Sequence, residues 1–168
     1  MSAMQRRNRI NEQFAARTIS MLDSPAYRAL TGSAHKVISR IEVELGRHGG
    51  NDNGRLPVTT DDFVEYGMHR TSVAPAIREA EALGFIRVTE RGRGGNAEYR
   101  SPNLFFLTFA RGRDSGKRPP TDDWRRIKTM EEAEQIARAA RANKKLASGR
   151  AWTAELAYAA AETESRYG

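Results

Sequence analysis

The spacing of apolar positions changes repeatedly along this chain, and each change marks an element. Val37, Ile38, Ile41 and Leu45 recur at helical intervals, predicting an amphipathic helix from a Ser33 cap to about Arg47. The triplet Leu56-Pro57-Val58 then leads into a short helix with Thr59 or Thr60 as cap, Asp61 and Asp62 in its first turn, and Gly67 as its stop. Val73, Ile77 and Ala80 set the buried face of a longer helix that ends at Gly84. At about 100° per residue, Thr71, Pro75, Arg78 and Ala82 point the other way, with Ser72 and Ala74 on the flanks. Pro75 is best tolerated in a first turn, so this helix is predicted to start near Thr71-Ser72, with Met68-His69-Arg70 as the turn before it. The pattern then becomes that of strands, Phe85 to Thr89 and Asn103 to Phe109, around the tip Arg91-Gly92-Arg93-Gly94-Gly95-Asn96.

The flanks read differently. Residues 1–21 form a polar, Arg-rich arm whose apolar anchors are Ile10, Phe14 and Met21. Ser24 and Pro25 together start a short helix that ends near Thr31-Gly32. His48 to Gly54 is a turn-rich loop; its Asn51-Asp52-Asn53-Gly54 resembles a calcium loop, but Asp62 stands where the bidentate Glu is required. Arg111 to Pro120 is a basic linker. Trp124 to Ala147 reads as an Ala-rich helix with Met130, Ala133, Ile136, Ala137 and Ala140 on one stripe, and Trp152 and Leu156 mark one more helix. Such a stripe is too thin to be a core alone. It can dock on the preceding domain, pair with its copy in a homodimer, or stay partly disordered. The predicted organisation is an arm (1–21), a domain (22–110), a linker (111–121) and a helical extension (122–168).

Helix, tight turn, helix and a hairpin with a basic glycine-rich tip is the order of a winged helix-turn-helix. The expected fold class is mainly α with a small β-hairpin wing (α+β) and a helical C-terminal extension. In that fold the second helix enters the DNA major groove, and the wing reaches the adjacent groove or backbone. The residues expected to read DNA from the helix are His69, Arg70, Thr71, Ser72, Ala74, Pro75 and Arg78. Thr71 and Ser72 sit at the helix N-terminus, Ala74 and Pro75 suit a thymine methyl, and Arg78 is placed for guanine or phosphate. From the wing, Arg91, Arg93 and Asn96 are expected to project away from the core toward DNA.

Charge refines this picture. Of the formal +7, residues 1–20 carry +3, residues 21–110 are neutral, and residues 111–168 carry +4. Arg6, Arg7, Arg9, Lys117 and Arg118 in the arms are therefore expected to supply backbone contacts and salt-sensitive attraction. Arg outnumbers Lys 23 to 5, a bias that a GC-rich genome also produces, so charge alone supports nucleic-acid binding only modestly.

Candidate chemistry is sparse. With no cysteine there is no disulfide, zinc ribbon or thiol nucleophile. His35, His48 and His69 lack metal spacing, the paired aspartates are accounted for by capping, and no Lys-Ser/Thr follows the glycines of the wing. No enzyme activity, metal, cofactor or small-molecule effector is expected. No apolar window is long enough for a membrane span, which favours a cytoplasmic, nucleoid-associated protein.

The run APAIREAEALGFIRVTE, Ala74 to Glu90, resembles the junction between recognition helix and wing in bacterial winged helix-turn-helix proteins. Ala76, Ile77, Arg78, Glu79, Glu81, Leu83, Gly84, Phe85 and Ile86 match that pattern, and Ala80 replaces its usual Leu. Tyr27 to Val37, followed by Asn53-Gly54-Arg55-Leu56, is similar to the start of winged domains in plasmid and phage replication proteins. It is similar too to small regulators on conjugative plasmids and genomic islands, including repressors of conjugal transfer. The resemblance covers roughly residues 22–109 and implies sequence-specific binding of double-stranded DNA, most simply as a transcriptional regulator. A replication initiator or accessory protein of a mobile element, and a winged protein-interaction module, are the alternatives.

Overall fold

Hydroxyl caps decide where most of the helices begin. A computed structural model describes residues 10–95, 101–111 and 119–142, which form an α+β fold. Thr18 caps α1 (Ile19–Leu22), and Ser24 caps α2 (Pro25–Arg28) with Pro25 at its first position, as expected. The long helix α3 (Gly32–Arg47) starts one residue before the predicted cap, because the Thr31 hydroxyl, not Ser33, accepts from the Ala34 amide. Thr59 and Asp62 make a reciprocal capping box at α4 (Thr60–Glu65): the Thr59 hydroxyl accepts from the Asp62 amide, and the Asp62 carboxylate accepts from the Thr59 amide at 2.7 Å.

Helix α5 (Arg70–Ala82) departs from expectation at its start. His69 is the cap residue, so Pro75 lies in the second turn, not the first. Its missing N–H leaves the Thr71 carbonyl without its helical donor, which is tolerable because Thr71 is exposed to water.

Three strands complete the body: β1 (Leu56–Val58), β2 (Ile86–Glu90) and β3 (Asn103–Leu107). They form one antiparallel sheet in the order β1-β3-β2, with Phe105 opposite both Leu56 and Val88 and a bulge between Val88 and Glu90. Alternation along β2 sends Ile86 and Val88 inward and Arg87 outward. Phe85 anchors the core beneath, edge-on to Tyr27 at 5.8 Å and to Phe109 at 6.4 Å.

The described part of the C-terminal extension belongs to this core. The helix expected from Trp124 is broken: Asp123–Arg126 is a 3₁₀ turn, Ile127 is extended, and α6 (Met130–Ala142) starts only then. Trp124, Ile127, Ala133, Ile136, Ala137 and Ala140 are buried in the same cluster as the residues of α3 and the sheet. The thin alanine stripe thus docks on its own chain, with α6 against α5. The apolar stripe on the described part of this helix, one candidate for a homodimer seam, is thus occupied by its own chain. The predicted continuation to Ala147 and the helix around Trp152 lie outside the described residues.

His35 records the cost of this packing. Its ring stands edge-on to Tyr27 at 4.7 Å, and burial, then the charge of Arg17, lowers its pKa against a weaker opposing pull from Glu79. The unfolded chain therefore holds more protons than the fold between the lowered pKa and about 6.5. Stability from this residue is complete above that pH and falls as pH drops through the folded pKa. Thermal unfolding between about pH 7 and 5 is expected to show a shallower pH dependence in His35→Asn than in the parent, a range above the ordinary carboxylate pKa values. Parallel curves would show that His35 titrates alike in both states.

Candidate nucleic-acid interface

The turn between α4 and α5 is held from below and from behind. Gly67 takes φ +92°, a left-handed conformation that suits glycine. Met68 is buried beneath the turn, and Lys36 on α3 donates to the Gly67 carbonyl at 2.7 Å. This grip fixes where α5 begins. His69, Arg70, Thr71 and Ala74 are exposed there, with Ser72 and Pro75 half-buried beside them. His69 makes no side-chain capping bond, and the Ser72 amide turns back onto the His69 carbonyl at 2.9 Å, which leaves the Arg70 and Thr71 amides to meet an incoming acceptor. Arg70 is drawn to Asp61 in an exposed ion pair, an interaction that water screens strongly.

From Ala76 to Ala82 every residue of α5 is buried. Arg78 accordingly does not face solvent, which corrects its assignment as a base-reading residue. It is 4% exposed, and its guanidinium donates to the Ala140 carbonyl at 2.9 Å and the Arg141 carbonyl at 2.7 Å. Burial, and secondarily the charge of Arg91, pulls its pKa below the ordinary guanidinium value. Both carbonyls belong to the last described turn of α6. The face opposite Val73 and Ile77 is solvated only over the first two turns; beyond that α6 covers it. Ala82 was expected on the same open face and is buried too.

Two more charges are buried on α5. Glu79, with no exposed surface, accepts from the Thr31 amide at 2.7 Å and the Thr31 hydroxyl at 2.9 Å, and Arg141 lies 3.3 Å away. Glu81 accepts from the Val88 amide at 3.0 Å and pairs with Arg91 at 3.1 Å. Arg91 is thereby folded back onto the body, not projected away from it as expected. Arg93 is exposed. Beneath it the hairpin is closed by Arg93 and Ser101, whose groups exchange bonds at 3.0 and 3.2 Å. Gly92 is required at this closure, since a Cβ there would stand 2.3 Å from the Ser101 carbonyl oxygen.

The structure thus brings His69, Arg70, Thr71, Ser72, Ala74 and Pro75 onto one exposed helix start, and leaves Arg93 exposed on the hairpin. Asn96, Arg6, Arg7, Arg9, Lys117 and Arg118 lie outside the described residues. Sequence reasoning missed Lys36, whose role depends on a partner 31 positions away. It also missed Arg17, which ties the arm to α3 through Glu42 and Ser39 and to α2 through the Tyr27 hydroxyl. Among the described residues no group of acidic or histidine side chains is placed to hold a metal, and no helix is long and apolar enough to cross a membrane. Compared with protein-family models, curated proteins and solved structures, the chain matches none.

Proposed function

We propose that this protein binds double-stranded DNA in a sequence-specific manner as a winged helix-turn-helix, most simply as a transcriptional regulator associated with the nucleoid. The observation that carries the reading is the division of α5: its second half is buried, and its first turns are exposed on a turn clamped by Lys36 and Met68. An anchored helix with a free N-terminal end is what entry into a major groove requires. The order α3, β1, α4, α5, β2, β3, with β1 pairing to β3, agrees with a winged domain, and Arg93 supplies a cation on the hairpin.

On this reading the contact set is short. Arg70 is the one guanidinium on the exposed start of α5 and reads guanine or a phosphate after leaving Asp61. Thr71 and Ser72 offer hydroxyls, Thr71 its amide as well, and Ala74 and Pro75 present apolar surface to a thymine methyl. Selection of the full-length protein on a randomised duplex library is expected to enrich a motif. Ala74→Glu is expected to weaken binding to that motif at least about tenfold, with its thermal midpoint unchanged because the site is exposed. An inverted repeat supports a regulator, and direct repeats transfer the role to replication initiation. A library that yields no motif, or an Ala74→Glu variant that binds like the parent, sinks the reading.

A further inference from the structure

The large exposed apolar side chains of the described residues are not scattered. They are Ile10, Phe14, Ile19, Val43 and Tyr66, and three of them, Phe14, Val43 and Tyr66, line one groove of about 1010 Å³. Its walls are the arm, the second half of α3 and the segment after β3, with Leu45, Leu107 and Phe109 deeper in. Arg17 fastens the arm along α3 through Glu42, so Phe14 is presented outward, 67% exposed, at the edge of the groove. One patch therefore offers both a protruding aromatic ring and an apolar recess.

We infer that this patch is the contact between two copies of the chain. A twofold interface needs a surface complementary to itself, and a projecting ring beside a recess meets that need. The rim carries both signs of charge, Glu12 on the arm and Arg47 at the end of α3. Nucleic acid or a strongly charged protein would be matched by a rim of one sign. A second copy is matched by both, because twofold docking on this patch can set Glu12 of one chain against Arg47 of the other. Tyr66 lies directly before the turn that starts α5, so pairing here links the two exposed helix starts. The inference stands apart from the DNA reading, since it concerns the protein alone.

Sedimentation equilibrium of the full-length protein without DNA tests it. The parent is expected to be a reversible dimer. Phe14→Asp and Val43→Asp are each expected to raise the dissociation constant at least about tenfold. Their thermal midpoints measured under monomeric conditions should match the parent, Phe14 being the safer site because it is on the exposed arm. A parent that stays monomeric up to about millimolar concentration overturns the inference. Dimers that both variants leave intact overturn it equally, by placing the contact elsewhere.

Discussion

Gly84→Ala is expected to lower stability by about 2–5 kcal/mol, the sum of a left-handed backbone penalty and forced repacking. Gly84 has φ +85°, so any side chain there is strained before its surroundings are counted. A Cβ would also stand 2.6 Å from the Trp124 amide nitrogen and 2.7 Å from the Asp123 carbonyl carbon, both backbone atoms that cannot swing aside. The 3₁₀ turn would have to lift, and the buried Trp124 ring would lift with it. The Gly84 carbonyl is also tied, accepting from the Thr108 hydroxyl at 2.6 Å. The thermal midpoint should fall by about 5–15 °C for a chain of this size. Gly94→Ala is the control: nothing lies within 4 Å of a Cβ there, and the midpoint should hardly move. Equal midpoints for the two variants would mean that the C-terminal turn does not sit against Gly84.

This glycine also shows what sequence can and cannot disclose. Its role as the stop of α5 is local, set by the end of the apolar spacing, and was legible. Its second role, admitting a turn from 40 positions further along, has no local signature. The same division runs through the fold. The caps at Ser24 and Thr59 were readable because donor and acceptor are three residues apart. The two hairpin strands and the short helix before α5 followed from spacing and glycines, whereas the pairing of β1 with β3, about 50 positions away, did not. The candidate site was half legible: periodicity fixes which face of α5 meets the core under Val73 and Ile77, but not that a later helix covers the other side. Arg78, Glu79 and Glu81 look like a solvated charged face in sequence. Each is buried because its partners lie outside the helix, Ala140 and Arg141 for Arg78, Thr31 for Glu79, and Val88 with Arg91 of the following hairpin for Glu81. Hydrophobicity cannot announce a buried charge, since burial is made tolerable by a partner that the pattern does not contain.

Arg78 gives the sharpest consequence of that burial. If the arginine read a base, Arg78→Ala would weaken DNA binding by about 1–3 kcal/mol and leave stability nearly untouched. The structure predicts the reverse. Removing the guanidinium takes its two donors from the Ala140 and Arg141 carbonyls and opens a gap between α5 and α6, at an expected cost of about 2–4 kcal/mol in unfolding free energy. Arg78→Lys should recover only part of this, because a single ammonium cannot place two donors on two carbonyls as a planar fork does. At a temperature where the variant is still folded, its affinity for the selected motif should remain within about twofold of the parent, since His69 to Pro75 are untouched. Denaturant melts and binding isotherms on the same preparations separate the two effects. A variant that melts like the parent yet binds at least about tenfold more weakly would return Arg78 to the DNA. It would also require α6 to move away from α5 on binding, because no base edge can reach a guanidinium that is 4% exposed and already committed to two carbonyls.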